Sequence, residues 1–311
     1  MTIRLCLLCF CCALLFSIPV AATPGYSHNL DVQVRLDNRS NRAHREQYRL
    51  RYYPSVTFSE NSAWSLNSFV VSGDDFSSSH NTFGSDNTDR IYVRRLFVRH
   101  TGDYGKTEAG VIPTYKGRVS SSGLSKDGWI EGLRHVRYLP NDSALELVVG
   151  QLHNTNPANA LSTPDDLDYI ELEYSARMGQ AQSFEISAER MTNGNFLRGE
   201  YRWRFSNEAT VFVELIKRLD KDETKTVMGL SGQWQMGNYP LEYFAHYSYV
   251  SEGFGPRAEL TEDFLGTGHG MSAELEGELW SDWQLDWFVR LDVVDSVSRV
   301  LTGVKFPLHY P

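Results

Sequence analysis

Cysteine is scarce in this chain and confined to one end. The 311 residues include four, Cys6, Cys9, Cys11 and Cys12, all within the first twelve positions. They sit in a stretch with Arg4 at its start, an apolar run from Leu5 to Val20, and the small residues Ala21 and Ala22 after it. That is the pattern of a secretory leader. The expectation is a signal peptide over residues 1–22 and one domain over 23–311 that carries no thiol. Such a domain cannot be a disulfide scaffold, a thiol enzyme or a cysteine-ligated metal protein. Nor does a cysteine follow the cleavage site, as a lipoprotein requires. Long apolar runs are missing too: after Val20 nothing approaches the ~20 residues that cross a bilayer as a helix, and mean hydropathy is −0.38. Catalytic spacings are lacking as well. The nine histidines form no His-x-x-x-His or His-Glu-x-x-His ligand pair, and neither a Gly-x-Ser-x-Gly elbow nor a phosphate-cradling glycine loop occurs. No catalytic residue, metal or cofactor is expected, and an exported chain of net charge −9 does not suit nucleic acid.

What the sequence does have is two-residue alternation, the period of a strand with two unlike faces. Val32, Val34 and Leu36 alternate with Gln33, Arg35 and Asp37; Ile170, Leu172 and Tyr174 with Glu171 and Glu173; Leu275 with Glu274 and Glu276; Trp287 and Val289 with Asp286 and Arg290. The pattern predicts sixteen strands, centred near 33, 50, 66, 95, 109, 135, 147, 172, 185, 201, 213, 230, 244, 275, 287 and 304. Weak strands such as the one near 109 leave twelve or fourteen open. The connections take turns between longer (37–45, 73–89, 115–130, 153–167, 191–196, 218–224, 251–268) and shorter (57–61, 102–104, 140–143, 176–180, 206–208, 237–239, 281–282). A soluble sandwich also alternates. Long loops on one side and tight turns on the other instead describe an up-and-down barrel meandering through a membrane, with both termini on the tight-turn, periplasmic side. Aromatics make up 13% of the chain. Tyr52, Tyr53, Trp64, Tyr169, Trp280, Trp283 and Tyr310 fall near strand ends, as the interfacial girdles of such barrels do.

The C-terminal stretch Gly303-Val304-Lys305-Phe306-Pro307-Leu308 resembles the outer-membrane β-signal, with Gly303, Phe306 and Leu308 in place. It departs at Leu301, where a polar residue belongs, and at the last residue, Pro311. With the leader and the loop alternation, the whole chain resembles a Gram-negative porin-type β-barrel. Within that group Arg90-Ile91-Tyr92-Val93-Arg94-Arg95-Leu96-Phe97-Val98 looks like the basic strand of phosphate-selective and related small-anion porins. The resemblance implies residence in the cell outer membrane among lipid and lipopolysaccharide, delivery by the barrel-assembly machinery, and frequently a homotrimer. The activity it implies is passive diffusion of small hydrophilic solutes. A plugged structural or enzymatic barrel of lipase, acyltransferase or protease type is the alternative.

Charge is uneven along the chain: net +4 over residues 23–140 and −14 over 141–311. Arg49 and Arg51 are expected on the basic arc of a lumen wall, and Glu171, Glu173, Glu274 and Glu276 on an opposed acidic arc, where the two rows would set a transverse field. Ion pairing between neighbouring strands is the plainer reading of the same charges. Arg94 and Arg95 break the alternation, so at least one faces the lumen or a bulge resets the register, because an arginine facing lipid at the bilayer midplane costs ~2–4 kcal/mol. By resemblance the loop over 115–131, with Lys116, Arg118 and Lys126, is the candidate constriction. On that basis a weak preference for anions is expected, the acidic loops over 153–168 and 251–268 being taken as distant from it.

Overall fold

The computed structural model describes residues 23–59, 62–73, 80–84, 91–113, 129–152, 160, 166–206, 208–255, 258–261 and 263–310. Sixteen antiparallel strands follow in chain order: β1 (Gly25–Arg39), β2 (Arg45–Thr57), β3 (Trp64–Ser72), β4 (Ile91–Gly102), β5 (Gly105–Pro113), β6 (Trp129–Leu139), β7 (Ser143–Gln151) and β8 (Tyr169–Met178). The second half comprises β9 (Gln182–Met191), β10 (Gly194–Ser206), β11 (Ala209–Arg218), β12 (Glu223–Met236), β13 (Tyr239–Val250), β14 (Gly268–Trp280), β15 (Leu285–Val294) and β16 (Val297–Tyr310). Each pairs with its chain neighbours. β16 returns to β1, from His28 opposite Tyr310 to Arg39 opposite Arg299. The sheet therefore closes, and closure leaves no unpaired edge, which a strand structure in hydrocarbon requires.

Alternation builds the two surfaces. Val34, Leu36, Leu145, Leu147, Ile170, Leu172, Leu215, Val289 and Leu291 are exposed on the outside, whereas Gln33, Arg35, Glu171, Glu214 and Asp292, one residue away, are buried inside. Most of the exposed aromatics among the described residues lie at the tight-turn end: Tyr26, Trp64, Tyr104, Tyr138, Trp203, Phe205, Trp234, Tyr239, Trp280 and Trp283; Phe83 and Tyr249 are exposed towards the opposite rim. Trp280 and Trp283 stack there with ring centres 5.2 Å apart. An aliphatic band bordered by an aromatic ring is the outer surface of a barrel in lipid.

Two of the expected girdle residues belong inside. Tyr169 is fully buried and donates its hydroxyl to Glu171. Tyr53 stacks on the buried Phe69 at 4.6 Å. Both share the parity of charged neighbours, Tyr169 with Glu171 and Tyr53 with Arg51, and parity outweighs proximity to a strand end. The side chain of Tyr310 lies outside the described residues.

The tight turns use the residues their geometry demands. Asn141 and Asp142 carry φ of 61° and 53° between β6 and β7, a conformation short polar side chains tolerate. The longer connections open on the opposite rim, where β15 and β16 meet instead through the two-residue turn 295–296; β9 and β10 likewise meet there through 192–193, so the longer connection expected over 191–196 is a tight turn.

Candidate functional site: the inner wall and the loop that enters it

On β1 and β2 the inward set is Gln33, Arg35 and Asp37 facing Gln47, Arg49 and Arg51. Arg35 Nε donates to Gln47 Oε1 at 2.9 Å, and Arg49 lies 3.7 Å from Asp31. β4 extends this basic arc through a bulge. Phe69 of β3 pairs with Arg95, and Val70 with Val93, so Arg94 is the extra residue. The bulge turns both arginines inward, and both are buried. Arg94 Nε donates to the Tyr92 hydroxyl at 2.9 Å, and the Arg95 guanidinium lies 4.7 Å from the centre of the Phe69 ring. His80, in the connection after β3, is buried beside this arc with Nε2 2.7 Å from Gln33 Oε1. Burial first, and then the cations of Arg35, Arg49 and Arg51, hold its imidazole well below the ordinary histidine range, although Asp263 pulls the other way.

The facing arc, β8 to β11, is acidic around one cation. Arg198 of β10 is fully buried and reaches four carboxylates: Glu214 at 2.5 Å, Glu200 at 2.6 Å, Glu185 at 2.8 Å and Glu173 at 3.3 Å. Arg202 adds bonds to Glu200 and Glu185. Between the arcs, Glu108 of β5 is clamped by Arg99 at 2.7 Å and Arg134 at 2.9 Å, and Arg134 also meets Glu146 at 3.1 Å. Near the closing seam Arg299 binds Asp292 at 2.6 Å, Arg290 binds the same carboxylate at 3.0 Å, and Lys305 pairs with Glu276. Buried charges survive only when paired this closely. A recess of about 280 Å³ at the tight-turn mouth is lined by Arg177, Ser183, Arg202 and Arg204 among others.

The connection after β13 enters the lumen. A short two-strand ribbon, Glu259–Thr261 with Phe264–Leu265, lies over β14. Leu260 and Phe254 are buried in a cluster of inward apolar residues that includes Phe196, Ile216, Val250 and Val294. Ser248 donates to the Leu260 carbonyl, and Arg218 Nη1 donates to that of Phe254 at 2.9 Å. Asp263 meets Arg299 at 2.6 Å and Arg35 at 3.7 Å. The Phe264 ring lies 4.4 Å from the Arg39 guanidinium and 4.8 Å from that of Arg299. Burial alone would raise the Asp263 carboxyl, but the combined pull of Arg299, Arg290 and Arg35 wins and holds it well below the carboxylate range.

Of the residues singled out in the sequence, Arg49, Arg51, Arg94, Arg95, Glu171, Glu173, Glu274 and Glu276 all have inward parity in this barrel. Lys116, Arg118 and Lys126 lie outside the described residues. Two expectations need correction. Glu274 and Glu276 do not oppose the basic arc, because β14 stands only three strands from β1 across the closing seam; they flank it, and Glu274 pairs across with Arg290. The loop over 251–268 is not distant from the lumen, because Asp263 touches two of its wall arginines. Sequence reasoning missed the hub role of Arg198, though its place in Arg198-x-Glu200-x-Arg202 already put it on the charged face. It also missed Asp263, which no periodicity marks.

Solved structures share this architecture. A triple mutant of the Rhodopseudomonas blastica porin superimposes with a TM-score of 0.63 at 10% identity, covering 91% of this chain and 100% of that one. A variant of the same porin with five substitutions gives 0.62 at 11% identity over the same shares. A structure described as asymmetric conductivity of engineered proteins gives 0.61 at 10% identity, covering 92% and 100%. No family model and no curated protein matches the chain.

Proposed function

We propose that the protein is an outer-membrane porin through which small hydrophilic solutes diffuse passively. The observation that carries this reading is the pairing of an aliphatic outer band with a charged inner wall around a closed sixteen-strand sheet. Lipid outside and a water-filled path inside account for both surfaces at once. The termini then lie on the periplasmic side, with the tight turns, and the aromatic ring marks that interface. The likeness to the Rhodopseudomonas blastica porin supports the same reading through the fold.

The basic arc of β1, β2 and β4 and the acidic arc of β8 to β11 lie across the closed barrel from one another. Their opposed charges order water across the lumen and disfavour apolar solutes. Asp263 beside Arg35 and Arg299 offsets part of the basic arc, so selectivity between small anions and cations is weak on this reading. A homotrimer in lipid and lipopolysaccharide is the expected assembly.

Swelling of liposomes that contain the purified protein tests the reading. Entry of a pentose should swell them at a rate proportional to protein content. No swelling with protein that migrates as a folded, heat-modifiable barrel would count against it.

A further inference from the structure

We infer that the connection after β13, described over 251–255, 258–261 and 263–267, narrows the lumen, and that Asp263 is its acidic, selectivity-setting group. The inference rests on the channel reading above and deepens it.

Four observations point the same way. The loop's apolar residues are inside: Leu260 is 1% exposed and Phe254 fully buried, against inward side chains of the wall. The loop is long in reach. Phe254 packs on Phe196 of β10 at 5.6 Å between ring centres, and Asp263 contacts Arg35 of β1. Counted through β13 to β16, it therefore touches wall residues across half of the barrel's circumference. It sits within the strand-lined part of the barrel, not above it: Arg35 lies four residues inside the end of β1, about 13 Å along the strand. Finally, it is latched by polar contacts at its tip. Arg299 and Arg35 hold the Asp263 carboxylate, and Phe264 lies against the guanidinium groups of Arg39 and Arg299.

A peptide segment lying over half the wall removes cross-section from the only route through a closed barrel. Selectivity is set where that route is narrowest, because field lines focus there and salt screens charges more than ~8 Å away. Among the described side chains of this loop, Asp263 is the carboxylate that meets the wall arginines at that level.

The latch can be released without touching the sheet, by Asp263→Asn combined with Phe264→Ala. Two readouts separate loop position from pore size. The first is maleimide labelling of single cysteines, in a background with Cys6, Cys9, Cys11 and Cys12 replaced by serine. Leu260→Cys should label slowly and Leu265→Cys, 47% exposed, quickly. Adding the latch substitutions should raise Leu260→Cys labelling by about tenfold, the rate reporting local opening. The second readout is conductance in planar bilayers. The latch variant should conduct about twofold more per channel, and its reversal potential in a salt gradient should move towards anions.

Labelling of Leu260→Cys as fast as that of Leu265→Cys would overturn the inference. So would faster labelling in the latch variant with unchanged conductance and selectivity, an outcome that leaves the channel reading intact. A silent parent chain with a conducting latch variant would support the inference in its stronger form, a loop that closes the path. If neither conducts while both remain folded and Leu260→Cys stays protected, the channel reading fails and the inference falls with it.

Discussion

Arg198 of β10 donates to Glu214 of β11 at 2.5 Å, and the same guanidinium holds Glu200, Glu185 and Glu173. Four consecutive strands, from β8 at Glu173 through β9 at Glu185 and β10 to β11 at Glu214, are thereby tied through one cation on their inner side, although the strands are already zipped by their backbones. Four carboxylates around a single buried arginine cannot remain charged and close without it.

Arg198→Ala should therefore be among the most damaging single changes in the wall. Removing one partner of a buried ion pair costs ~3–5 kcal/mol, because the remaining charge stays buried. The temperature at which the folded band is lost on a gel should fall clearly for Arg198→Ala and hardly at all for Arg177→Ala, an exposed arginine at the tight-turn mouth. Equal behaviour of the two variants would mean that the cluster is not structural.

The register makes a second, sharper expectation. Single cysteines at Glu274 and Glu276 should react with membrane-impermeant reagents. Cysteines at Leu275, Val289 and Tyr201 should react only with lipid-soluble ones, since charge facing hydrocarbon costs far more than charge facing water. Inverted labelling at 274 and 275 would overturn the inside–outside assignment of the whole sheet.

How much of this was legible in the sequence follows from which forces act locally. Alternation in segments such as Ile170 to Tyr174 is imposed by lipid on one side and water on the other at every residue, so sixteen strands and the rim of each connection could be read directly. Short turns such as Pro140-Asn141-Asp142 carry their own signal. Tyr53 and Tyr169 were misjudged because distance from a strand end was weighed above parity with Arg51 and Glu171. The contacts of Asp263 with Arg35 and Arg299 join positions far apart in the chain, and no local period encodes such a meeting. The same holds for Glu274 and Glu276: they look remote from β1 in sequence but become near neighbours once β16 closes on β1.

The bulge in β4 gives a third expectation. Deleting Arg94 leaves Arg95 opposite Phe69 and Val93 opposite Val70 with no extra residue, so the barrel should assemble normally. Deleting Val93 instead forces Arg94 into the outward place. Near the end of a strand that should cost about 1–2 kcal/mol, between the midplane and interface values. Urea unfolding in detergent compares the two. Greater stability of the Val93 deletion would contradict the bulge assignment.

The loop latch also has a pH signature. A carboxyl held below its ordinary value adds stability that is complete above its unfolded value, 3.8 for aspartate, and is lost only as pH falls through the folded one. The groups facing Asp263 are Arg299, Arg290, Arg35 and a histidine, His80, that is itself held neutral. An environment-sensitive dye on Leu265→Cys should keep the same emission from pH 8 to about 5 and change only below about 4. A change centred near pH 6 would show that a histidine, not the carboxylate, controls the loop.

The most direct test of the central claim is single-channel recording on the purified, folded protein in a planar bilayer. Discrete ohmic steps whose size grows with salt activity, with a small reversal potential in a tenfold salt gradient, are the expected result. A folded, heat-modifiable barrel that inserts and yet gives no conductance at any voltage or salt concentration would contradict it.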